Sequence, residues 1–184
     1  MNLPELYNTR AEKMWEQIDK AVDFTDKTVL DVGCGRGDLM MRAWQSGARV
    51  VYGIDNSKIE LNEAKLRSWN MVKEGARLYF MTKDIEQWSS KWPGFNDIVI
   101  CTSVLPYLIE PEKTIEHIAR DSDIAIIECQ YHGDGPGFEY IKHDDDMKNW
   151  LHAYGGWFSV LKIGSTDVES RPGVKRSIWL CKHE

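Results

Sequence analysis

Asp31, Gly33, Gly35 and Gly37 stand at alternate positions in the run Asp31-Val32-Gly33-Cys34-Gly35-Arg36-Gly37. A carboxylate followed by a glycine turn is equipped to hold a polar, bulky cofactor. The glycines remove the side chains that would keep such a molecule off the backbone, and a following helix exposes unpaired amides at its start. The flanking residues supply both supports. Thr28-Val29-Leu30 is a short apolar run with strand character, and Asp38-Leu39-Met40-Met41-Arg42-Ala43-Trp44 has helix character. A strand, a glycine turn and a helix in that order place a nucleotide-like ligand at the carboxyl end of the strand. The dinucleotide fingerprint spaces its glycines G-x-G-x-x-G to admit a pyrophosphate at the helix start. Here the spacing is G-x-G-x-G and Asp38 follows at once, an acid that would repel a pyrophosphate. NAD and FAD are therefore disfavoured.

Further acids close later strands. Arg49-Val50-Val51-Tyr52-Gly53-Ile54 ends at Asp55-Asn56-Ser57, where Asp55 can accept from both hydroxyls of a ribose. An Asx-turn or helix cap would use the same residues, with Ser57 able to fill the cap by itself. Arg77-Leu78-Tyr79-Phe80-Met81 reads as a third strand and leads to Asp84-Ile85, with Trp88 placed either to stack on a ring or to cover the core. Asn96 to Thr102 reads as the fourth strand, and Ser103-Val104-Leu105-Pro106-Tyr107-Leu108 as its exit.

The run D-x-G-x-G-x-G resembles motif I of the class I S-adenosylmethionine (SAM)-dependent methyltransferases, in the broad small-molecule-type branch. Counting this one, four motifs of that family occur in order between residues 27 and 108. The resemblance implies that Asp31 orders the amino group of SAM while Gly33, Cys34, Gly35 and Gly37 run along its aminoacyl and ribose parts. It gives the ribose to Asp55 and Asn56, the adenine to Asp84 and the Ile85 backbone, and adds Thr102 to the cofactor set. Leu6, Arg10, Met14, Trp15, Ile18 and Val22 form an approximate helical stripe ahead of the first strand. In similar enzymes such a helix is a lid, bringing Tyr7 and Arg10 to SAM; Trp15 is read instead as packed on the sheet. The product would be S-adenosylhomocysteine (SAH).

The chain has 184 residues and a net charge of −6. This length fits one domain, residues 1–184, with a lid helix over 1–25 and the core over 26–184. No apolar run reaches membrane-span length and the start lacks a signal-peptide profile, which suggests a cytoplasmic setting. The charge is unlike that of a duplex nucleic-acid binder, although a local basic patch is left open. Cys34, Cys101, Cys129 and Cys181 form no C-x-x-C pair and read as buried thiols.

The rest of the chain supplies helices over Ser57–Asn70 (apolar at Ile59, Leu61, Ala64, Leu66 and Trp69), Pro111–Arg120 and His143–Tyr154, and a buried parallel strand over Asp123–Cys129. Phe158–Gly164 and Val174–Lys182 read as a terminal hairpin. Together with the resemblance they imply an α/β, three-layer Rossmann-like sheet of seven strands, order 3-2-1-4-5-7-6, strand 7 antiparallel, with helices on both faces.

An acceptor should meet residues beyond the fourth and fifth strands. Tyr107 follows the fourth; Tyr131, His132 and Asp134 follow the fifth. A hydroxyl acceptor needs a base, and His132 titrates in the right range, with Tyr107 and Asp134 able to orient it. A solvated loop histidine and a tight Asp134-Gly135 turn are the plain alternative. Asp144-Asp145-Asp146 is accounted for by helix capping, so no metal is expected. The expected function is transfer of a methyl group from SAM to an oxygen or nitrogen of a small-molecule acceptor. The alternatives are a nucleic-acid or protein methyltransferase recognising its target through a partner, and a SAM-binding protein without catalysis.

Overall fold

β-Branched and aliphatic runs dominate the middle of this chain, and they assemble into one sheet buried on both faces, as parallel strands require. The computed structural model describes residues 3–87, 94–130, 141–167 and 175–183. In chain order the strands are β1 (Thr28–Val32), β2 (Val50–Asp55), β3 (Leu78–Thr82), β4 (Asn96–Thr102), β5 (Ser122–Gln130), β6 (Ser159–Asp167) and β7 (Lys175–Lys182). Their spatial order is β3-β2-β1-β4-β5-β7-β6. Pairing is parallel from β3 to β5, while β7 runs antiparallel to both β5 and β6. The order, the reversed seventh strand and the three layers are those implied by the sequence.

The helices are α1 (Leu3–Ala21), α2 (Asp38–Gln45), α3 (Lys58–Arg67), α4 (Trp69–Lys73), α5 (Pro111–Arg120) and α6 (Asp144–Gly155). They divide between the two faces. Met14, Trp15 and Ile18 of α1 pack with Leu39, Met40 and Ala43 of α2 and Leu61 of α3 over one face. Ile115 and Ile118 of α5 pack with Met147, Trp150 and Leu151 of α6 over the other. Trp15 lies on the sheet side as expected, its ring 4.9 Å from that of Phe24. No helix is long and apolar enough to cross a membrane among the described residues.

The segment over Ser57–Asn70 departs from expectation. Ile59, Leu66 and Trp69, counted there as apolar helix positions, are exposed, and only Leu61 and Ala64 of the five are buried. The helix also stops at Arg67. Ser68 is 1% exposed and turns its hydroxyl back to the Lys65 carbonyl, after which α4 starts. A hydroxyl that bonds the preceding turn competes with the helix ladder, so one amphipathic pattern becomes two short helices. At the start of α6, Asp146 accepts from the amides of Lys142 and His143, each at 3.0 Å, and Asp144 pairs with Lys162 at 2.7 Å. Two of the three acids are thus engaged, Asp146 in capping and Asp144 in a surface ion pair. Trp88 lies outside the described residues.

Candidate active site

Side chains alternate between the faces of a strand, so counting by twos along each strand finds which residues share the α1–α2 face. Val29, Ile98, Ile100, Ile126, Ile178 and Leu180 all lie in the core beneath α1 and α2. The next positions in the same registers are Asp31 on β1, Thr102 on β4, Glu128 on β5 and Arg176 on β7. All four therefore project to one face, at the carboxyl ends of the parallel strands.

The turn after β1 is fastened from several sides. The amides of Gly33 and Cys34 donate to the Ile54 carbonyl at 2.8 and 3.0 Å. Asp55 accepts from the Gly35 amide at 2.9 Å through one oxygen and from the Ser57 amide at 2.8 Å through the other. Ser57 itself caps α3 by accepting from Glu60, so the cap and the Asp55 carboxylate are separate devices. Arg36 reaches Glu60 and Glu63 at 3.0 and 3.2 Å, and Arg67 binds Asp38 at 3.0 Å. The acid at the start of α2 is thus already paired, which reduces the repulsion expected of it. Gly33 has φ 70°, and a Cβ there would lie 2.2 Å from Cγ2 of Val104. The turn can lie against the β4 exit loop only because that Cβ is absent.

Two cavities open over these strand ends. One, of about 390 Å³, is lined by Arg10, Met14, Gly33–Arg36, Asp38, Thr102 and Ser103. The other, of about 310 Å³, is lined by Asp55, Asn56, Asp84, Ile85, Val104 and Tyr107. Gly33 and Ser103 border both. Asp84 combines two positions: it lines the second cavity and accepts from the Glu86 amide at 3.1 Å, as a cap would. Tyr107 is 71% exposed at the rim.

Asp31 is 2% exposed, and no hydrogen bond reaches its carboxylate among the described residues. Burial pushes its pKa well above the usual carboxylate range, and the charges of Asp55 and Asp38 add to the effect. A buried acid in that condition lacks a cation. Burial also raises the Cys34 and Cys101 thiols, with nearby Asp31 contributing, so both stay neutral. The nucleophilic form of cysteine is the thiolate. Burial lowers the pKa of His117, with Arg120 contributing; His117 lines neither cavity.

The structure thus brings Arg10, Gly33, Cys34, Gly35 and Thr102 around one cavity and Asp55, Asn56, Asp84, Ile85 and Tyr107 around its neighbour, with Gly33 and Ser103 shared. Asp31 lines neither; it is buried at the end of β1, two residues before Gly33. Gly37 does not line either cavity; it starts α2 at φ 76°. Tyr7 falls on α1 where side chains are outside the description, and His132 and Asp134 fall in 131–140, also outside it. Sequence reasoning missed Glu128 and Arg176. A carboxylate inside a run as apolar as Ile124-Ala125-Ile126-Ile127 was the available signal, because a charge buried on both sides must find partners.

A family model described as "Methyltransferase domain" matches residues 23–165. The chain belongs to that methyltransferase family. The methyltransferase is 34% identical over 103 residues to the ubiquinone biosynthesis O-methyltransferase of Saccharophagus degradans, an alignment covering 56% of this chain and 42% of that protein. It is 33% identical over 146 residues to the enzyme of the same name from Vibrio campbellii, covering 79% of this chain and 56% of that one. The chain thus spans about half the length of these curated relatives. The methyltransferase also superimposes with a TM-score of 0.76 on the SAH-bound crystal structure of magnesium protoporphyrin IX methyltransferase from Synechocystis PCC 6803. That match is 22% identical and covers 100% of this chain and 89% of that one. The fold is that of the class I SAM-dependent methyltransferases.

Proposed function

We propose that this methyltransferase moves the methyl group of SAM to an oxygen or nitrogen of a small-molecule acceptor, releasing SAH. The observation that carries this reading is the pair of cavities sharing Gly33 and Ser103, one lined by the glycine turn that follows the buried Asp31 and the other lined by Asp55. The residues fit the cofactor. Asp31 would hold its ammonium, Arg10 its carboxylate, and Thr102 with the Gly33–Gly35 backbone its aminoacyl chain. Asp55 and Asn56 would hold the ribose hydroxyls, with Asp84 and Ile85 at the adenine. The small-molecule acceptor is supported by the name of the ubiquinone biosynthesis relatives and by the absence of a basic excess in the composition.

SAM supplies an activated methyl on a sulfonium, so the protein's tasks are alignment and exclusion of water. Tyr107 stands at the rim and would meet the acceptor. His132 would take the proton of a hydroxyl acceptor, oriented by Asp134. His132→Ala is expected to lower turnover by about 100-fold, the scale of general base catalysis, with SAH affinity unchanged. Conversion of SAM to SAH with pools of phenolic, amine and carboxylate acceptors checks both the activity and this role. Tight SAM binding with no turnover on any pool would sink the enzymatic reading, and equal turnover by the variant would remove His132 as base.

Asp55→Ala should weaken SAH binding by at least about tenfold, since hydrogen bonds to a charged group are worth roughly 1.5–3 kcal/mol. Calorimetric titration reads this directly; unchanged affinity would place the ribose elsewhere.

A further inference from the structure

Glu128 is 0% exposed, and it is the meeting point of four elements. One carboxylate oxygen accepts from Arg10 of α1 at 2.8 Å and from the Thr166 hydroxyl of β6 at 3.3 Å. The other accepts from the Ser103 hydroxyl at 2.9 Å and lies 3.9 Å from Nη1 of Arg176 on β7. The Ser103 oxygen in turn accepts from Nη2 of Arg10 and, at 2.7 Å, from Nη1 of Arg176. Ser103 holds φ 61°, a left-handed conformation uncommon for a residue with a Cβ, and its amide donates to the Glu128 carbonyl at 3.0 Å. Non-glycine residues held there concentrate at functional sites.

The charges in this cluster do not cancel. Two guanidinium groups share one carboxylate, which leaves one positive charge in excess. Among the described residues, the Nε atoms of both Arg10 and Arg176 are buried without a hydrogen-bond partner. A lone Arg10–Glu128 pair would be neutral and would attract no further anion. Arg176 draws part of the same carboxylate, so Arg10 keeps an unmet demand for negative charge. Arg10 and Ser103 both line the 390 Å³ cavity, the one that also contains the turn after Asp31. The helix carrying Arg10 is fixed two turns later, where Gln17 accepts from the Ser165 amide at 2.8 Å and donates to its carbonyl at 3.2 Å. Residues seven apart lie on one face of a helix, so both anchors turn α1 toward the sheet.

We propose that Glu128 is a positioning residue: with Ser103 and Arg176 it sets the Arg10 guanidinium to receive the carboxylate of the cofactor's amino-acid part. This rests on the SAM reading above. Glu128 does not touch the cofactor; it acts by fixing where Arg10 points, while Arg176, drawing on the same carboxylate, leaves Arg10 short of negative charge. The same arrangement ties α1 to the ends of β4, β5 and β7.

The test compares two ligands in calorimetric titrations of the full chain. SAH carries the carboxylate, whereas S-adenosyl-3-thiopropylamine keeps the adenosine, sulfur and ammonium and lacks only the carboxylate. Glu128→Gln should weaken SAH by about tenfold, the size of one charge-assisted hydrogen bond, with little change for the thiopropylamine. Ser103→Ala keeps the buried charge and removes only the shared hydroxyl. It should give the same selective loss at about threefold, as for a neutral hydrogen bond, and it serves if Glu128→Gln fails to fold. An equal loss for both ligands would reduce Glu128 to a structural role, and unchanged SAH binding would remove any link to the carboxylate. A wild-type chain that prefers the thiopropylamine or binds both alike overturns the positioning proposal while leaving SAM binding intact. A wild-type chain that binds neither overturns both.

Discussion

Asp31→Asn should make the ligand-free methyltransferase more stable at neutral pH and a far poorer binder of SAH. The wild-type carboxylate is buried, without a partner among the described residues, and near the charges of Asp55 and Asp38, which holds its pKa well above the usual range. A group whose folded pKa exceeds its unfolded one makes the folded state bind more protons, so stability falls as pH rises between the two values. The contribution of Asp31 is therefore present in full below the ordinary carboxylate range and is lost as pH climbs through the raised folded value. Asparagine has the same shape and no charge to desolvate. A gain of about 1–3 kcal/mol at neutral pH is expected, the scale of an uncompensated buried polar group, fading toward acid pH. The same change removes the partner of the cofactor's ammonium. Breaking one side of a buried charge pair costs roughly 2–5 kcal/mol, so SAH affinity should fall by at least about thirtyfold. Denaturant unfolding as a function of pH and titration with SAH measure the two halves. A variant less stable than the wild type at neutral pH, or one that binds SAH as tightly, would contradict this account of Asp31.

Gly33→Ala should damage both the fold and the site. The added methyl meets Val104 at 2.2 Å, and φ is 70°. Left-handed backbone costs a residue with a Cβ roughly 1–2 kcal/mol, and overpacking typically adds about 1–3 kcal/mol. A total of about 2–5 kcal/mol corresponds to a melting temperature lower by roughly 5–15 °C in a chain of this size. Because Gly33 borders both cavities, any movement of the turn away from Val104 changes the space for the whole cofactor. Gly35 provides the contrast: φ is 50°, but a Cβ there meets nothing within 4 Å. Gly35→Ala should lose only about 1–2 kcal/mol from backbone strain. A melting curve in which both variants fall alike would show that Val104 yields easily.

The strands and the acids at their ends were legible because the signals are local. Apolar runs ending in Asp31, Asp55 and Asp84 occupy a few residues each, and the terminal hairpin gives away the reversed β7. Ile59, Leu66 and Trp69 misled because an apolar residue at helical spacing was taken as buried, whereas α3 turns only Leu61 and Ala64 fully inward. Glu128 was hidden for a different reason. Its partner Arg10 lies 118 residues away, and Ser103 stands on a third element, so no spacing along the chain announces the cluster. Counting by twos from Ile124 would have placed Glu128 on the α1 face, but which cations meet it depends on how α1 and β7 dock.

Titration of the full chain with SAH and, separately, with NAD tests the central claim most directly. The expected result is one SAH per chain, no measurable NAD binding, and loss of the SAH heat on Asp55→Ala. A chain that binds NAD and not SAH would contradict it.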